Sequence, residues 1–83
     1  MGRYVEALDD FEHVAFITDA VHGQKHRHTL LVKTYVGMAL TACGRREEAR
    51  TLLEETLQWQ REGQVRPSDL QATEKALAAV SPN

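Results

Sequence analysis

Between Arg3 and His22 the apolar residues Tyr4, Ala7, Leu8, Phe11, Val14, Ala15, Ile17 and Val21 recur at steps of three and four, with Glu6, Asp9, Asp10 and Glu12 in the gaps. A helix turns once every 3.6 residues, so this spacing gathers the apolar side chains on one side and predicts an amphipathic helix over 3–22. Gly23, which tolerates left-handed backbone, and the polar run Gln24-Lys25-His26-Arg27-His28 end it. A second helix is expected over 29–43, opening at Thr29 as N-cap and carrying Leu30, Leu31, Tyr35, Val36, Ala39 and Leu40 up to Gly44. A third, over 46–62, places Ala49, Leu52, Leu53, Thr56, Leu57 and Gln60 on one stripe, with Arg50 and Glu54 on the solvent side, and stops at Gly63. A fourth follows Pro67 over 68–80, with Ser68 and Gln71 spaced as a capping box and Leu70, Thr73, Leu77 and Val80 as its narrower stripe. Connections this short cannot carry the chain to the far end of a helix, so neighbours run antiparallel. The expected fold is all-α: four antiparallel helices as stacked hairpins in one domain over residues 1–83.

A second regularity lies above the helical one. Gly44-Arg45-Arg46-Glu47-Glu48-Ala49 repeats Gly2-Arg3-Tyr4-Val5-Glu6-Ala7 in register, with Gly, Arg, Glu and Ala identical. Units of a helical repeat bury their apolar faces only by stacking on neighbours, so such an echo constrains the architecture and steers function toward binding. In this phase the first helix is the second half of a unit and the last helix is the first half of another, so both ends are half-repeats. The apolar residues Tyr4, Leu8 and Phe11 then need a cover. Flanking repeats in a longer chain, a dimer across the open face, or collapse of the four helices into a closed bundle would each supply one.

Gly37, Leu40, Gly44, Ala49 and Leu57 alternate small, bulky and turn-forming residues at a spacing that resembles tetratricopeptide repeats. Lys33 and Thr56 stand where that pattern has a large apolar and a small residue. The long period, with Gly23, His26, Thr29 and Leu30, is similar to the kinesin-light-chain type of repeat, although that loop's prolines and aspartates are missing. Gly63 with Pro67-Ser68-Asp69-Leu70 looks like a second, worn copy of the loop. The resemblance implies a non-enzymatic module that docks a protein or peptide on a concave surface lined by the first helix of each hairpin. The positions it marks as ligand-facing are Thr34, Met38 and Thr41, with Lys75 on the last helix. It also leaves open a structural module that forms a homo-oligomer, as a dimer or by domain swapping, and the sensor portion of a larger regulator. The several Lys, Arg and Asn residues of a carboxylate-clamping groove are absent.

Composition narrows the partners. At 83 residues and a net charge of −2, with a pI near 6.0, the chain has no global field that draws it onto phosphate backbones, so nucleic acid is not an expected partner. One cysteine, Cys43, makes no internal disulfide and calls for no oxidising compartment. No apolar run approaches the roughly 20 residues that span a bilayer, and a cytoplasmic setting is the default. His22, His26 and His28, with His13 nearby, are weak candidates for a metal, since imidazole ligates transition metals but no carboxylate or cysteine completes a set beside them. Lys25, Arg27 and Lys33 are expected to form a small basic patch facing the acidic first helix. Trp59 is expected either to pack against the fourth helix or to join Tyr4, Leu8 and Phe11 in a partner or self-association face. No cofactor and no catalytic constellation is expected: the chain has no Gly-rich phosphate loop and no Ser-His-Asp or Cys-His spacing.

Overall fold

A computed structural model describes residues 2–63 and 65–80. Four helices follow one another: α1 Gly2–His22, α2 Arg27–Ala42, α3 Arg46–Glu62 and α4 Pro67–Val80, with no strand among the described residues. The all-α expectation and its helix bounds therefore hold to within two residues. The turns explain why the chain reverses where it does. Gly44 has φ +84°, and after it Gly44 N donates to Thr41 O at 3.0 Å and Arg45 N to Leu40 O at 2.9 Å. These two bonds satisfy carbonyls that the end of α2 would otherwise leave bare, and they turn the chain within three residues into α3. Gly23 plays the same part after α1, with φ +93°.

Two helix starts differ from expectation. α2 begins at Arg27, because His26 takes the N-cap with extended backbone and its Nδ1 accepts from His28 N at 3.1 Å. Thr29 is instead fully buried, and its hydroxyl donates across to Thr18 O on α1 at 3.3 Å. In α4 Pro67 is the first helical residue, a place where its missing N–H costs nothing, and Asp69 N and Leu70 N bond Arg66 O. Ser68 accordingly lies inside the first turn and is no cap.

Successive helices pack as antiparallel hairpins, and α4 also lies beside α2, so α2 alone has three neighbours. The core is the set Leu8, Val36, Ala39, Leu40, Ala49, Leu53, Ala76 and Val80. At Gly37 α2 and α3 come close together. A Cβ placed on Gly37 would stand 2.5 Å from Leu53 Cδ2 and 2.6 Å from its Cγ, so glycine at this position is what lets the two helices approach. The radius of gyration, 12.0 Å, is that of a close-packed chain of this length.

Leu8 is corrected here. It is 4% exposed and belongs to the core against α2, so it is no part of an open face. Phe11 is half-buried, its ring stacked on Tyr35 of α2 with centroids 5.8 Å apart. Tyr4 is exposed, together with Val5, Val14, Phe16, Ile17 and Val21 on the same helix. The stripe read along α1 is thus covered on one side only.

Candidate functional site

α2 and α4 run side by side in the same direction, and a groove of about 560 Å³ lies between them. Tyr35, Met38, Thr41 and Ala42 of α2 form one wall, and Ala72, Lys75, Ala76 and Ala79 of α4 form the other. The 3.6-residue period produces this arrangement: positions 35, 38 and 42 of α2, and 72, 75, 76 and 79 of α4, each fall on one side of their helix. Small side chains on α4 keep the groove open, while Met38 and Tyr35, at 49% and 44% exposure, stand at its edge. The lining is apolar almost throughout, with Lys75 as its one charged member among the described residues. Such a surface offers dispersion and burial to a partner side chain, and one cation to orient it.

Three of the four residues expected to face a ligand, Met38, Thr41 and Lys75, come together here. Thr41 is half-buried and its hydroxyl donates to Gly37 O at 2.9 Å, so its proton is used within α2. Thr34 does not join them. It is fully buried, and its Oγ1 lies 2.8 Å from Oγ1 of Thr73 on α4. Each hydroxyl also reaches the carbonyl four residues before it, Leu30 O at 3.1 Å and Asp69 O at 3.2 Å. Two protons serve three possible bonds, so one hydroxyl donates to the other and the other donates to its own helix. Thr34 is therefore part of the seam that sets α2 against α4. Tyr35, Ala72, Ala76 and Ala79 were not singled out from the sequence. The signal available for the three alanines was their shared side of α4, which becomes informative only once α4 is known to lie next to α2.

The other candidate residues sit elsewhere. Trp59 is half-buried on α3, with Lys33 Nζ 4.9 Å and Lys25 Nζ 5.6 Å from its ring centroid. Ammonium groups held over an indole face gain about 0.5–2 kcal/mol each. Arg27 pairs with Asp69 on α4, Nε to Oδ2 at 3.6 Å. Lys25 and Lys33 thus lie over α3 and Arg27 is paired with α4, while Lys33 also lines a shallow surface pocket with Glu12 and Asp19 of the acidic first helix. His22, His26 and His28 cluster with ring centroids 4.5, 5.4 and 6.0 Å apart, in near-parallel stacks. Stacked imidazoles turn their π-faces to one another while their lone pairs lie in the ring planes, and no group of three or more His, Cys, Asp or Glu among the described residues is placed to hold a metal. Cys43, half-buried, is the C-cap of α2. At the start of α3, Arg45 binds Glu48 through two bonds of 2.8 and 2.6 Å. The hydrogen bond from Arg45 holds the Glu48 carboxyl below the usual carboxylate range, and the same bond raises Arg45. Both are on the open surface. No described helix is long and apolar enough to cross a membrane.

Residues 29–62, which contain α3 and nearly all of α2, match the family model for the tetratricopeptide repeat. No curated protein and no solved structure matches the chain.

Proposed function

Because the chain carries a tetratricopeptide repeat over residues 29–62, a scaffold type that mediates protein–protein contacts, we propose that it is a non-catalytic docking module that takes a peptide or helix of a protein partner in the groove between α2 and α4. The convergence of Met38, Thr41 and Lys75 on one apolar groove carries this reading. The first helices of successive hairpins supply the two walls. A groove lined by methyl groups and a thioether gains affinity by covering apolar side chains and adapts to their shape, while Lys75 at its side favours a partner with a carboxylate nearby. The expected setting is the cytoplasm, and the module acts within a larger protein or assembly.

The experiment is selection of binders from a displayed random-peptide library against the intact chain, followed by titration of the best binders against Met38→Glu and Lys75→Glu. Both residues are exposed, so folding, followed by circular dichroism, is expected to be unchanged. Met38→Glu is expected to weaken binding at least tenfold, since it puts a charge where apolar surface is buried. Binders indifferent to both substitutions would remove the groove from the account.

A second reading, self-association, is favoured by the exposed apolar residues of α1, above all Phe16 at 74% and Val21 at 68% exposure. Sedimentation across a hundredfold concentration range tests it. A species that stays monomeric throughout ends that reading without touching the groove.

A further inference from the structure

We infer that the α1–α2 junction is a pH-sensitive clasp, in which His26 caps α2 only while its imidazole is neutral and acidification releases the first turn of that helix. The cap bond fixes the chemistry. Nδ1 of His26 accepts from His28 N at 3.1 Å, so Nδ1 carries no proton and the ring's single N–H is on Nε2. A protonated imidazole bears N–H on both nitrogens and has no lone pair to offer. Protonation therefore deletes the cap and also puts a cation at the positive end of the α2 dipole.

The surroundings oppose that protonation. The rings of His22, from α1, and His28, from α2, stack on His26 with centroids 4.5 and 5.4 Å away. Lys25 precedes it and Arg27 follows it. α4 contributes Asp69, which pairs with Arg27 at 3.6 Å, and α3 contributes the Trp59 ring beneath Lys25 and Lys33. Desolvation, then the charges of His22, His28 and Arg27, hold His26 below the ordinary histidine value of 6.5. The unfolded chain thus takes up this proton before the folded one does. The contribution of the cap to stability is full above pH 6.5, declines as pH falls through that value, and is lost once pH has passed the lower folded value. The turn that is released holds much of this end of the molecule together: Thr29 bonds Thr18 O on α1, Leu30 is 1% exposed, and Arg27 pairs with α4.

Thermal melts and the histidine ring signals of the whole chain, followed by NMR from pH 7.5 to 5.5 in chelator, test the clasp. The melting temperature is expected to fall by several degrees over this range. The His26 ring should titrate below 6.5, and the His28 amide shift should follow the same curve. His26→Asn, whose side-chain oxygen caps without titrating, is expected to keep the pH 7.5 melting temperature and lose most of the pH dependence. His13→Gln, on the exposed side of α1, should keep the wild-type slope. Parallel melting curves for wild type and His26→Asn, or a His26 ring that titrates at or above 6.5, would overturn the inference. If His26→Asn does not fold, the His28 amide decides: one that ignores the titration of His26 sinks the clasp, and one that tracks it supports it.

Discussion

α1 and α3 hold equivalent places in the repeat, offset as Gly2 is from Gly44, and they meet different surroundings. On α3 the residues Ala49, Leu53, Thr56, Leu57 and Gln60 are all buried, because α2 lies on one side and α4 on the other. On α1 the matching positions are Ala7, Phe11, Val14, Ala15 and Thr18; Val14 is 45% exposed where Thr56 is fully buried. Ile17 is 46% exposed at the place of Trp59. α1 packs on α2 and on no other helix. The two helices share a register, and the number of neighbours decides which of their apolar residues see water. Apolar content therefore does not mark a core residue in a repeat protein; its position relative to a stacked neighbour does.

Substitution can break this comparison at either end. Leu53→Ala, at the point where both neighbours press on α3, is expected to cost about 2–5 kcal/mol and to lower the melting temperature by roughly 10 °C or more. Urea denaturation measures the first and a thermal melt the second. A loss under 1 kcal/mol would mean that α3 is not held as described. Gly37→Ala sharpens the picture at the same crossing. In an isolated helix the added methyl favours folding by about 1 kcal/mol. Here it meets buried Leu53 atoms, and a net loss of about 1–3 kcal/mol is expected. A gain would show that α2 and α3 are farther apart. The smallest effect belongs to α1: Ile17→Ser should change monomer stability by no more than about 0.5 kcal/mol. A loss comparable with that of Leu53→Ala would show that something covers this side of α1 in solution.

The features readable from the sequence were those set by near neighbours in the chain. Gly23 and Gly44 mark helix ends because left-handed backbone costs a glycine nothing, and the Ala49-to-Gln60 stripe follows from helical pitch alone. Met38, Thr41 and Lys75 were legible through the resemblance to a repeat whose unit geometry repeats along the chain. Thr34 was not. Its burial depends on Thr73, contributed by a helix almost forty residues away, and a threonine reads equally well as solvated or as half of a hydroxyl pair. Leu8 was misplaced for a related reason: a stripe wide enough to serve two neighbours does not say which part of it the one present neighbour covers. The cap of α2 escaped because an imidazole caps only through one lone pair in one tautomer, whereas Thr29 offered the commoner hydroxyl.

Counted from their first residues, α2 and α4 put Gly37 and Leu77 at the same step. Leu77 is half-buried beside Leu57 and Arg61 of α3. At that step α2 meets α3 with bare backbone and α4 meets it with a branched side chain, so the two sides that α3 turns to its neighbours are not interchangeable.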